Sequence, residues 1–163
     1  MQQEATQNRD LDMRRFMNQL ARYFQILDDY QNLVSQYTSQ RGFCQDLDEG
    51  KPSFLFIRAC HDLEDSTVLT EWLNILYSRA RSPVEAKRYI LARIEESGSL
   101  EDTRDLLALL LQALEGMLRD MESVTGHENW ILRSMMVQLQ VKQNRPLQKE
   151  ITFAEVLRVW SGY

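Results

Sequence analysis

Strand-forming patterns are nearly absent from this 163-residue chain. That excludes sheet architectures and leaves an all-α class. Long apolar runs are lacking too. The longest is Leu106 to Leu111, far short of the roughly 20 residues that a membrane-spanning helix needs. The first twenty residues hold no apolar h-region, so no secretory signal is expected. Cysteine is scarce, with only Cys44 and Cys60. Without an export signal these read as free thiols in a reducing compartment, and a disulfide scaffold is excluded. Basic residues never gather into a stripe and the formal net charge is −5, which excludes a generic nucleic-acid binder. The two histidines, His61 and His127, stand apart from any Cys or carboxylate cluster at ligand spacing and read as structural or surface groups. A cytoplasmic protein is the expectation.

What is present suits one domain with a real core. Apolar residues make up 44% and charged residues 26%, near the globular averages. Residues 1–9 read as a disordered start, 10–142 as a helical domain and 143–163 as a C-terminal extension. From Asp10 to about Tyr37, apolar residues at Met13, Phe16, Met17, Leu20, Phe24 and Leu27 repeat every 3.6 residues. Residues 38–53, with Gly42, Gly50 and Pro52, read as a loop. Helices are predicted over 54–63 and 66–80, the latter capped by Ser66. Another opens at Ser82-Pro83 and stops at Ser97-Gly98. Ser99 and Asp102 form an imperfect capping box for a helix over 100–123 carrying Leu106, Leu107, Leu110, Leu114, Met117 and Leu118. Shorter helices are predicted over 128–142 and 151–160. Short connections favour antiparallel neighbours in a bundle. Trp72, Trp130 and Trp160 read as core or interface anchors.

The chemistry concentrates in residues 24–51, FQILDDYQNLVSQYTSQRGFCQDLDEGK. Gln25, Asp28, Asp29 and Asn32 fall at i, i+3, i+4 and i+7, on one face of a helix. Adjacent carboxylates repel unless a cation sits beside them. Hard divalent ions such as Mg²⁺ prefer carboxylate oxygens and water and bridge to phosphates. In the loop, Arg41 and Lys51 suit phosphate oxygens, and Asp46, Asp48 and Glu49 suit metal or its waters. The plain alternative is solvated surface, the usual fate of an Asp-Asp pair near a helix end and of an acidic loop.

FQILDDYQNL followed by SQRGFCQDLDEGK resembles the second aspartate-rich region of the trans-isoprenyl diphosphate synthases, and the geranylgeranyl diphosphate synthases above all. Their usual form is FQIRDDYxNL, then KGFCEDLxEGKFSFP. The stretch EAKRYILARIEESGSLEDTRDLL continues the likeness, which covers about residues 12–140. The resemblance implies an all-α enzyme of terpenoid biosynthesis. It implies condensation of an allylic diphosphate, such as geranyl or farnesyl diphosphate, with isopentenyl diphosphate. Mg²⁺ would hold the diphosphate between two aspartate-rich motifs. Carried over by position, Asp28 is the principal metal ligand, and Asp29 and Asp46 act directly or through water. Gln25, Asn32, Arg41 and Lys51 contact the diphosphate.

The sequence departs from the family pattern in places. Leu27 replaces the usual Arg, and Arg41 the usual Lys. Lys51-Pro52-Ser53-Phe54-Leu55 stands for KFSFP. Asp28-Asp29 is the only Asp-Asp pair in the chain, so the first motif, DDxxD, is missing. The expectation is therefore a partial synthase, inactive by itself. Three alternatives follow: a synthase fragment, a non-catalytic partner that dimerises with a complete synthase, or a helical module that has lost its ligand. The expected assembly is a homodimer or a heterodimer with a full-length synthase.

Overall fold

Phe16, Leu20, Tyr23, Leu27 and Tyr30 recur at spacings of four and three residues, and all five are buried. This apolar stripe defines α1, Met13–Leu33. The computed structural model describes residues 11–34, 44–61, 63, 65–78 and 83–141. Six further helices follow among them: α2 (Gln45–Asp48), α3 (Phe54–His61), α4 (Ser66–Leu76), α5 (Val84–Glu96), α6 (Ser99–Thr125) and α7 (Trp130–Gln138). No strand occurs among the described residues, so the all-α expectation is met. None of the described helices is long and apolar enough to cross a membrane. The predicted disordered start, Arg41, and the predicted helix over 151–160 with Trp160 lie outside the described residues.

The stripe on α1 is rotated from the expected one. Met17 and Phe24 are 52% and 42% exposed, whereas Tyr23 is fully buried. Periodicity alone cannot separate the centre of an apolar face from its flank. What puts Tyr23 inside is a polar tip with a partner, since its hydroxyl donates to the Leu139 carbonyl.

Contacts divide the chain into two compact units, Met1–Phe24 with Asp105–Tyr163, and Gln25–Arg104. In the second, Phe56 lies against Trp72, their ring centroids 5.5 Å apart. Leu55, Ala59, Leu76, Ile90 and Ile94 are buried in the same unit. Helix α3 packs on α5, and α2 on α4. Arg58 on α3 reaches Asp102 on α6 at 3.1 Å. The cap of α4 is Asp65, whose carboxylate accepts from the Thr67 N–H at 2.8 Å, one residue before the expected Ser66. Pro83 is the residue preceding α5 rather than its first position. Helix α5 ends where Ser97-Gly98 predicts, with Gly98 at φ 75°.

In the other unit, the leucine stripe of α6 is the core: Leu106, Leu107, Leu110, Leu111, Leu114 and Leu118 are all buried. The elbow into α7 is organised by Glu122. Its carboxylate takes Nε and Nη2 of Arg133 at 3.0 and 2.6 Å, and the Asn129 N–H at 2.7 Å. Asn129 in turn caps α7 by accepting from the Leu132 N–H. Trp130 is 71% exposed and so is not a core anchor, while Trp72 is buried.

Candidate functional site

At the C-terminal end of α1 the four polar residues share a face but differ in surroundings. Gln25 and Asp28 are exposed, Asp29 is half-buried and Asn32 is buried. The difference arises because the chain returns over the end of this face in the segment from Cys44 to Phe54.

The returning segment is fixed residue by residue. Cys44 takes a left-handed conformation, φ 48°, which is uncommon for a side-chain-bearing residue, and opens the single turn of α2. The Asn32 side-chain oxygen accepts from the Asp46 N–H at 3.5 Å. Lys51 N–H closes back on the Asp46 carbonyl at 2.9 Å. Gly50, at φ 66°, lies where a Cβ would come within 3.2 Å of the Leu76 carbonyl at the end of α4, so glycine is needed there. Leu47 is buried beneath.

Asp29 joins the end of α1 to the start of α3. Its Oδ2 accepts from the Phe54 N–H at 2.6 Å, one of the donors that the first turn of a helix leaves without a partner. Ser53 contributes a weaker cap, its hydroxyl accepting from Phe56 at 3.4 Å. Burial pushes the Asp29 carboxyl above its ordinary pKa. The Phe54 N–H opposes that shift, Asp46 and Asp28 add to it by repulsion, and Lys51 offsets part of it. Asp28, Asp29, Asp46 and Lys51 thus act on one another in a shared field. Lys51 itself is exposed and ion-paired with Glu49. That pairing raises the lysine's proton affinity and lowers the glutamate's.

Of the expected metal ligands, Asp28 and Asp46 each add their charge to the field at Asp29. No group of three or more His, Cys, Asp or Glu side chains at metal-holding distance occurs among the described residues. The donor set still fits Mg²⁺, which takes one or two carboxylates, keeps several waters and completes its octahedron with phosphate oxygens. Of the four expected diphosphate contacts, Lys51 is exposed beside the carboxylates and Gln25 is exposed on α1. Asn32 is occupied with the loop backbone, and Arg41 lies outside the described residues.

One pair is not foreseen from the sequence. Lys87 on α5 is 2% exposed and its ammonium lies 2.6 Å from Oδ2 of Asp48, itself 17% exposed. A signal for it exists: Lys87, Ile90 and Ile94 fall at i, i+3 and i+7, so the lysine occupies the apolar face of α5. Next to this pair, burial pushes the Cys44 thiol up to about 11, with Lys87 partly offsetting the rise. Cys44 is therefore an inert, protonated thiol near neutral pH.

The chain also matches known proteins. The polyprenyl synthetase family matches residues 1–94. The bifunctional type I diterpene synthase tndC of Aspergillus flavipes is 42% identical over 130 residues, 78% of this chain and 17% of that protein. Quiannulatene synthase of Emericella variicolor is 42% identical over 130 residues, 77% of this chain and 17% of that protein. The bifunctional sesterterpene synthase astC of Talaromyces wortmannii is 42% identical over 122 residues, covering 74% and 16%. The chain spans about a sixth of the length of these relatives. With more than half of its length matched and its acidic α1 end inside the match, the chain belongs to the polyprenyl synthetase family.

Proposed function

We propose that this chain supplies one wall of a prenyltransferase site of terpenoid biosynthesis, a wall that holds an allylic diphosphate through Mg²⁺. The product proposed for the complete site is geranylgeranyl diphosphate. The observation carrying this reading is the half-buried Asp29 carboxylate, fixed on the Phe54 N–H at 2.6 Å and lying within the field of Asp46, Asp28 and Lys51. Carboxylates crowded in this way gain most from a divalent cation, because the cation removes their mutual repulsion. Bound Mg²⁺ would supply charge neutralisation as diphosphate departs from the allylic carbon.

The residues of this chain do the rest. Asp28, exposed on α1, would be the principal ligand of the cation. Asp29 contributes the oxygen that Phe54 leaves available. Asp46 adds its charge from the loop. Lys51 turns from Glu49 to the diphosphate, and Gln25 donates a neutral hydrogen bond from the preceding turn. The family and the relatives' names, which are those of diterpene and sesterterpene synthases, favour this chemistry over a plain solvated surface.

The test is calorimetric titration of the chain with a non-hydrolysable farnesyl diphosphate analogue, with and without Mg²⁺, for wild type and Asp28→Ala. Binding should require Mg²⁺ and weaken at least about tenfold in the variant, the change expected when a metal's supporting ligands are removed. Equal affinity in all four conditions would refute it.

A further inference from the structure

The loop that brings Asp46 and Lys51 to the end of α1 contains little that would hold it there alone. Its helix, α2, is one turn long, and isolated turns of this length are unstable because nucleation costs more than a single turn returns. Among the described residues, four contacts that hold the loop from outside stand out. Leu47 is buried, Asn32 meets the Asp46 N–H, Gly50 sits against the Leu76 carbonyl, and Asp48 is bound by Lys87. The last is the only one of the four built from opposite charges. Lysine is almost never fully buried unless paired, so a 2% exposed ammonium on the apolar face of α5 needs a reason.

We propose that Lys87 is a positioning residue. It reaches from α5 to Asp48 and sets the register of the acidic loop, so that Asp46 faces Asp28 and Asp29 and Lys51 stands at their edge. This role rests on the diphosphate-binding reading given above. Asp46 and Asp48 lie two residues apart in a single helical turn, so their side chains project to different sides. Asp48 is drawn inward by the ammonium, and Asp46 is thereby directed away from it. Without the ammonium, the half-buried Asp48 carboxylate loses its 2.6 Å ion pair, and the turn carrying Asp46 would rotate or open.

Cys44 gives an independent readout. It is buried at the start of the same turn, so opening of the loop uncovers its thiol. In a Cys60→Ser background, the wild type, Lys87→Met and Asp48→Asn chains are compared in three measurements. These are helicity by circular dichroism, labelling of Cys44 by a maleimide, and Mg²⁺-dependent binding of inorganic diphosphate. Helicity should hold in both variants, while Cys44 labelling accelerates at least about tenfold and diphosphate affinity falls about tenfold, because breaking one partner of a buried pair is strongly unfavourable. Lys87→Arg, which keeps the charge, should recover most of both losses.

Slow Cys44 labelling in Lys87→Met would overturn the proposal. So would fast labelling with undiminished diphosphate affinity, which would make Lys87 a mere prop of the core. Should Lys87→Met fail to fold, Asp48→Asn, close in size to the native residue at a less buried site, decides the question by the same two measurements. If the wild type itself takes no diphosphate, the proposed function fails, and the labelling rates alone decide whether Lys87 anchors the loop.

Discussion

Replacing Asp29 separates two jobs of one carboxylate. In Asp29→Ala the Phe54 N–H at the start of α3 loses an acceptor at 2.6 Å. Losing a capping acceptor of this kind costs about 1–2 kcal/mol. For a chain of this size that lowers the thermal midpoint by about 2–8 °C. Asp29→Asn keeps an acceptor oxygen and removes the charge that burial, Asp46 and Asp28 all disfavour. Its stability should equal or exceed that of the wild type at neutral pH. The pH dependence follows from the direction of the shift. The folded chain holds the Asp29 proton more tightly than the unfolded chain does. Asp29 therefore subtracts stability as pH rises from the ordinary carboxyl value of 3.8 through its raised folded value. The Asn variant lacks that loss, so the gap in its favour should widen across this window. Urea denaturation in EDTA, followed by far-ultraviolet circular dichroism from acid to neutral pH, measures both effects. If Asp29→Asn is as destabilised as Asp29→Ala, or if the gap does not grow with pH, the account of Asp29 is wrong.

Two further outcomes follow from other parts of the chain. Trp72 is fully buried against Phe56 and its indole N–H has no hydrogen-bond partner. Trp72→Ala should therefore cost about 3–5 kcal/mol, and Trp72→Phe clearly less because no hydrogen bond is lost; equal losses by urea denaturation would contradict this. Arg133 and the Asn129 N–H hold the Glu122 carboxyl below its ordinary pKa of 4.5. The stability it contributes is complete above that value and is lost as pH falls through the depressed one. The thermal midpoint of wild type should exceed that of Glu122→Gln at neutral pH, and the difference should close in acid.

Legibility in the sequence follows the range of the interactions. The end of α5 is readable because Ser97-Gly98 is a local stop signal, and the α6 leucine stripe because its period is local. Asp65 and Ser66 compete as caps because both residue types cap helices, and only geometry decides between neighbours. Met17 and Phe24 read as core because a flank and a centre share one period. The acidic residues are evident from their spacing, but their inequality is not. Whether Asn32 faces ligand or loop depends on a segment 14 residues away. In the Lys87–Asp48 pair, 39 residues apart, the lysine's place on an apolar face is local, but the choice of Asp48 as its partner depends on tertiary placement that no window of sequence contains.

The unit made of Met1–Phe24 and Asp105–Tyr163 is discontinuous, whereas Gln25–Arg104 is unbroken. Tethering the two parts of the split unit across the intervening segment carries an entropic penalty of about 4 kcal/mol for a loop of roughly 80 residues. The continuous unit therefore has the lower barrier, and the order of events during refolding should run from the middle of the chain outward. The bond from the Tyr23 hydroxyl to the Leu139 carbonyl, spanning 116 positions, belongs to the last step, and pulsed hydrogen exchange would see that end of the molecule protected late.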